Sequence, residues 1–224
     1  MEAEVAQIFR DAWTRRDGKV VPAPEDIALG NEGVNLEATV LYADLRGSTA
    51  LVDVMPATFS GEVYKTFLVC AARIVKHHGG VITSYDGDRI MGVFIGDAKN
   101  TSAASAALRI HWAVRDIVQP KLEGIYGAGI YTLDHTVGVD TSSIMAARIG
   151  VRRDNDIVWI GRAANHAAKL TEQRGYASFI TGEVYDQLHA DAKLSDEGWD
   201  MWTALQWPEH KRRIYGSNWK WTLA

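Results

Sequence analysis

The tripeptide Asp86-Gly87-Asp88 constrains this chain more than any other feature. It separates two apolar runs, Val81–Tyr85 and Arg89–Ile95, and Asp-Gly between such runs is a strong hairpin signal. Two neighbouring antiparallel strands are expected, with carboxylates at their tip. Upstream, Ala38–Ala43 (ATVLYA) is a β-branched, apolar run of strand length that ends on Asp44. Between this strand and the hairpin, Phe59, Val63, Phe67, Cys70 and Ile74 recur at spacings of four, four, three and four, the signature of one helix face. Pro56 opens that helix and His77-His78-Gly79-Gly80 stops it, with glycine just past the last turn.

The remaining chain continues the alternation. Residues 2–16 read as a short amphipathic helix, followed by a loop up to about Glu37. Ala98–Val118 reads as a second long helix, with Ala103, Ala107, Ile110, Val114 and Ile117 on one face and Pro120 beyond its end. Gly127–Leu133 and Val137–Ala146 resemble a strand pair, Asp156–Ile160 a further strand, and Arg162–Glu172 a helix; Thr181-Gly182-Glu183 opens another. Five of the eight tryptophans lie between Trp199 and Trp221, and Trp219, Trp221 and Leu223 alternate like an edge strand. This order predicts an α/β (α+β) sandwich: a ferredoxin-like β-α-β-β-α-β core whose largely antiparallel sheet carries helices on one face. The expected segments are an N-terminal extension (1–37), a catalytic domain (38–190) and a Trp-rich extension (191–224) packed on the core.

A net charge of −4 gives no general reason to bind nucleic acid or an anionic membrane, so any polyanion must meet a local site. That charge, the short chain and the lack of a basic stripe disfavour a polymerase of palm topology, although polymerases also use paired aspartates. Cys70 is the only cysteine, which fits a reducing compartment. No run approaches the ~18 apolar residues of a membrane span, and the N-terminus has no signal-peptide core. A soluble, cytoplasmic protein is expected.

Chemistry concentrates in two places. In Tyr42-Ala43-Asp44-Leu45-Arg46-Gly47-Ser48-Thr49 a strand delivers a carboxylate, and a Gly-Ser-Thr turn then starts a helix. Backbone N–H groups at a helix start are unpaired, so Arg46, Gly47, Ser48 and Thr49 offer a phosphate cradle. Asp88 at the hairpin tip can converge with Asp44 if their strands are neighbours. Taken alone, Asp-Gly is most often a turn and Ser-Thr a helix cap. Their joint placement at the ends of one β-α-β-β unit points instead to a pair of Mg²⁺ or Mn²⁺ ions beside a triphosphate.

These motifs resemble those of class III nucleotidyl cyclases, whose first motif is close to F-x-D-I-x-G-[FS]-T, followed by a helix, Gly-Gly and a Gly-Asp hairpin. This chain reads YADLRGST and then HHGGVITSYDGDRIMGVF, and its VWIGRAANHAAKL matches a family segment like D-I-W-G-x-x-V-N-x-A-x-R. The Gly-rich strand pair of the family is matched by Gly138–Gly150, so that the likeness runs from about Thr39 to Leu188. The resemblance implies that Asp44, Asp88 and the Leu45 carbonyl hold two divalent cations. It implies that Asn165 orients the ribose, and that Lys169 stands where the family carries a transition-state arginine. It further implies a head-to-tail homodimer with each active site completed by the partner. Arg162 and the Lys211-Arg212-Arg213 run are secondary candidates for phosphate contacts.

The base-reading positions depart from the family. Where adenylate cyclases place a lysine and an Asp or Thr, and guanylate cyclases Glu and Cys-type residues, this chain has Ser84 and Val158. An intact metal site with altered purine contacts resembles the stand-alone pyrimidine cyclases of the Pycsar type of bacterial antiphage signalling, whose product a separate effector senses. UTP is the favoured substrate, then CTP, then ATP. Tyr85, Asp86 and Arg89 lie near enough to help read a pyrimidine. The competing reading is a catalytically silent nucleotide-binding homologue.

Overall fold

In a computed structural model, which describes residues 1–151 and 153–222, two long strands form the axis of the fold. After helix α1 (Glu2–Arg10), strand β1 (Thr14–Asp17) pairs in parallel with the start of β2 (Glu32–Arg46). The hairpin strands β3 (Val81–Asp86) and β4 (Arg89–Phe94) join one side of β2. Strand β5 (Asp134–Val151) pairs antiparallel with the other side, from Gly33↔Ala147 to Arg46↔Asp134. β6 (Asp154–Gly161) folds back on the far half of β5, whereas β7 (Ser178–Thr181) runs parallel to its near half. From β7 the sheet continues through β9 (Arg212–Ser217) to β8 (Thr203–Trp207), so that all three expected segments share one nine-stranded sheet.

Alternation along β2 divides its side chains between two cores. Leu41, Ala43 and Leu45 meet α3 (Ala57–His77) and α4 (Lys99–Trp112), which lie beyond the short α2 (Ser48–Val54). Val34, Leu36, Ala38 and Val40 face the opposite layer, where α6 (Arg162–Leu170) lays down Ala163, Ala164 and Ala167. The sequence pattern placed helices on one face; α6 covers part of the other. Phe67 on α3 is fully buried, worth roughly 1.5–3 kcal/mol for such a side chain. The α3 terminus closes as the two glycines imply: Gly79 adopts φ +77°, and the N–H groups of Gly79 and Gly80 donate to the carbonyls of Lys76 and Val75.

Several elements differ from the sequence reading for identifiable reasons. α1 ends at Arg10 rather than residue 16, because Thr14–Asp17 finds a pairing partner in β2 that no local pattern reveals. β2 begins at Glu32, six residues before the expected strand. The second long helix does not stop before Pro120. A π-helical turn (Ala113–Val118) leads into α5 (Gln119–Tyr126), and its wider winding absorbs the N–H that proline lacks. The same turn shifts the helical face, burying Val118 and leaving Ile117 39% exposed. Gly127–Leu133 is a connection rather than a strand; β5 starts at Asp134. Trp219 and Trp221 lie outside any strand because β8 already occupies that edge. Trp221 rests on Arg109, with the guanidinium 5.2 Å from its ring centroid, and Leu223 lies outside the described residues. Two short helices, α7 (Gly182–Asp186) and α8 (Ala190–Lys193), lead into the terminal strands.

Candidate active site

The hairpin β3–β4 and the end of β2 bring the predicted carboxylates to one end of the sheet. Asp44 stands opposite Arg89 in the β2–β4 register, and Asp88 immediately precedes Arg89 in the turn. Gly87 turns the hairpin at φ +57°. Asp44 Oδ2 accepts a 2.8 Å hydrogen bond from the Arg89 guanidinium, which is held charged by that bond first and by the field of Asp44. Asp88 Oδ2 is buried and has no hydrogen-bond partner. A buried, unpaired carboxylate oxygen is costly, and a cation is the ligand that would satisfy it. Tyr42 lies on the same face of β2; burial raises its hydroxyl pKa, opposed by Arg89 and reinforced by Asp86.

The turn after Asp44 has the conformation of an open cradle. Gly47 sits at φ +71° and caps α2, whose first intrahelical bond runs from the Leu51 N–H to the Gly47 carbonyl at 3.0 Å. The N–H groups of the first turn, which include Ser48 and Thr49, have no intrahelical acceptor. The Arg46 side chain turns elsewhere. It donates to the carbonyls of Gln173 and Tyr176, each at 2.8 Å, and pairs with Asp134 at 3.4 Å. Only its backbone remains available to a phosphate.

Sheet register sorts the base-reading candidates. Ser84 pairs with Met91, which pairs with Tyr42, so Ser84 shares the face of Asp44. Tyr85 pairs with Ile90 and stands on the opposite face, against α3 and 56% exposed, away from Asp44. Nearness in sequence to Asp86 did not reveal this face, and a register shift between Ile82 and Ser84 interrupts the alternation along β3. Val158 pairs with Ala147, beside Met145 and Ile160, and so also lies on the face opposite Ser84 within one chain.

Asn165 and Lys169 are exposed on α6, one turn apart, and among the described residues neither side chain has a hydrogen-bond partner. Of the secondary phosphate candidates the three arginines are already engaged: Arg162 binds Glu183 at 2.7 Å, Arg212 also binds Glu183, and Arg213 binds Asp186 at 2.6 Å, while Lys211 is exposed. One residue the sequence reading passed over is Asp140, a fully buried carboxylate on β5. A lone acid inside the strand-like run Val137–Ala146 was its only signal.

Among the described residues no group of three or more His, Cys, Asp or Glu side chains gathers as a metal cluster. Two carboxylates, one carbonyl and substrate phosphates are nonetheless an ordinary oxygen set for Mg²⁺, so the residues present fit such an ion.

This architecture is that of the class III nucleotidyl cyclases. The guanylyl cyclase Cya2 shares the fold with a TM-score of 0.69, at 20% sequence identity, over 83% of this chain and 93% of that one. No family model matches the chain. Curated relatives do; among them a uridylate cyclase of Burkholderia cepacia is 49% identical over 98% of this chain and 96% of its own length. A uridylate cyclase of Xanthomonas perforans is 46% identical over 96% and 94%. The chain belongs to the nucleotidyl cyclase family of which these are curated members, and it is a nucleotidyl cyclase. No helix among the described residues is long and apolar enough to cross a membrane.

Proposed function

We propose that this protein is a uridylate cyclase that converts UTP to cyclic UMP and pyrophosphate. The observation that carries the reading is the near full-length likeness to two proteins named for that activity, at 46% and 49% identity. The base-reading positions agree with it, since Ser84 and Val158 supply neither the lysine–carboxylate pair nor the Glu–Cys pair suited to a purine. A pocket without those partners leaves the polar edge of a purine unpaired when buried.

In this reading Asp44, Asp88 and the Leu45 carbonyl hold two Mg²⁺ or Mn²⁺ ions. Such ions lower the pKa of the ribose 3′-hydroxyl and offset the charge of the triphosphate. The backbone from Arg46 to Thr49 cradles the phosphates. Asn165 orients the ribose while its 3′-oxygen bonds to the α-phosphorus and the bond to pyrophosphate breaks. Lys169 offsets the charge that grows on the α-phosphate; it supplies a point charge without the two-pronged contact of an arginine. Asn165 and Lys169 come from a second copy of the chain, an assignment that their exposure on α6 accommodates. The protein acts in the cytoplasm as the second-messenger synthase of an antiphage system, and a separate effector protein senses its product.

Incubation of the purified protein with UTP, CTP, ATP and GTP separately, with Mn²⁺ and chromatography of the products, tests this. A dominant cyclic UMP peak is expected. A cyclic CMP or cyclic AMP peak in its place overturns the base assignment, and no product from any of the four favours a silent nucleotide-binding homologue.

A further inference from the structure

α6 rests on the sheet through a smooth surface. Ala163, Ala164 and Ala167 face the core, and Gly138 lies directly beneath them, where an added Cβ would come 2.2 Å from the Ala167 carbonyl oxygen. An alanine face over a glycine gives close approach but few ridges to set the rotation of the helix about its axis. The polar contacts beside it are directional. Asp140 points up from β5 with no exposed surface, and one carboxylate oxygen accepts the Thr181 hydroxyl at 2.6 Å. The same oxygen accepts from Arg162 Nη2 at 3.4 Å, and Nη2 also donates to the Thr141 carbonyl. The other oxygen lies 3.3 Å from Arg162 Nε and 3.4 Å from His166 Nδ1, charge contacts without hydrogen-bond geometry, from two residues one turn apart on α6. At the helix start the Ala163 N–H donates to the Ser142 hydroxyl at 3.0 Å.

Arg162, Asn165, His166 and Lys169 occupy positions i, i+3, i+4 and i+7, a single stripe of α6. Arg162 and His166 form its inner margin toward Asp140; Asn165 and Lys169 form its exposed margin. We propose that Asp140 is a positioning residue that fixes the rotation of α6 and thereby aims Asn165 and Lys169 at the nucleotide. The proposal rests on the assignment of α6 to the active site.

Two further features agree with this role. His166 packs against Trp207 and His210, with ring centroids 5.3 and 4.9 Å away, which holds its ring toward Asp140. Burial, with His210, Arg212 and Arg162 nearby, pushes His166 down to about 4, so the ring beside the carboxylate is neutral near pH 7. Arg162 is steadied from outside by Glu183 at 2.7 Å, and Arg212 binds the same carboxylate. A fully buried carboxylate is a poor source of stability compared with an apolar residue of its size, whereas a directional anchor distinguishes one helix rotation from its neighbours.

The test is a kinetic cycle on the full chain with UTP and saturating Mn²⁺, using Asp140→Asn, Lys169→Ala, Asn165→Ala and the Asp140→Asn/Lys169→Ala double variant. Asp140→Asn should lower kcat about tenfold or more with KM within about twofold, because a helix turned by less than an ångström misplaces transition-state groups more than it weakens binding. In the Lys169→Ala background the effect of Asp140→Asn should shrink but not vanish, because Asn165 is still there to be mis-aimed; the double variant should therefore be faster than the product of the two single losses. Losses that multiply in the double variant, or wild-type kcat in Asp140→Asn beside a slow Lys169→Ala, overturn the proposal and leave the site assignment standing. Wild-type rates in both Lys169→Ala and Asn165→Ala overturn the site assignment and the proposal with it. If Asp140→Asn fails to fold, by its melting curve, His166→Gln on the half-buried rim replaces it in the same cycle with the same expectations.

Discussion

Asp88 and Asp44 sit at one end of the sheet but in different electrostatic settings. Asp44 already has the Arg89 guanidinium as partner, whereas Asp88 keeps one oxygen buried without any hydrogen bond. That difference separates function from stability at the scale of single residues. Asp88→Asn should lower turnover at least about a hundredfold if this oxygen holds a cation that activates the 3′-hydroxyl. The same variant should leave the melting temperature unchanged or raise it, because an unpaired buried carboxylate costs about 1–3 kcal/mol more than a group that meets its neighbours. Asp44→Asn should lose activity similarly but also lose stability, since it leaves Arg89 without its carboxylate. Turnover with Mn²⁺ and a thermal melt of each variant check both halves. A stabilised but inactive Asp88→Asn is the pattern expected of a metal ligand rather than a structural turn.

At the scale of elements, legibility followed how local each signal was. The β2–α3–β3–β4 unit could be read from Asp-Gly, the four-residue spacing in α3 and the two glycines after it, because each signal lies within one turn or one hairpin. The helix through Pro120 could not, because a π turn is paid for by the tertiary packing of Val114 and Val118 rather than by any local preference. β1 escaped for a similar reason: its four exposed residues carry no alternation, and pairing with β2 alone makes it a strand. In the candidate site Asp44, Asp88 and the α6 residues were legible as motifs. The face on which Tyr85 and Val158 stand was not, since a register shift in β3 and the pairing of β6 with β5 decide it. The packing of α6 on β5 yields a prediction of its own. Gly138→Ala would press a methyl group into the Ala167 carbonyl, and since that neighbour is backbone it cannot step aside. Denaturant unfolding should show a loss of about 1–3 kcal/mol, with activity falling beyond what the unfolded fraction explains.

For the molecule as a whole, two histidines are buried at the main core, and among the described residues both ring nitrogens of His135 and the Nδ1 of His111 have no hydrogen-bond partner. His135 is fully buried on β5 with neither ring nitrogen hydrogen-bonded, 5.3 Å from His111 on α4 and 6.0 Å from Phe67 on α3 between ring centroids. Burial, with His111, Arg115 and Arg46 adding to it, holds His135 neutral well below its ordinary value of 6.5. Burial and then Arg115 and Lys220 push His111 down to about 4. The unfolded chain protonates both near 6.5, so below that pH the unfolded state binds more protons than the folded one. Stability is therefore level with respect to these groups above about pH 6.5 and falls as the pH drops from there toward about 4. His135 alone contributes a slope of up to about 1.4 kcal/mol per pH unit in that window. Urea midpoints measured from about pH 7 down to about pH 5 should decline in the parent protein and decline less steeply in His135→Leu, which keeps an apolar side chain in the same core without a proton to bind. Equal slopes in the two proteins would mean that the acid sensitivity of the fold arises elsewhere, among the paired carboxylates at its edges. A flatter slope in His135→Leu would assign it to this core, beneath the strand that pairs with Asp44.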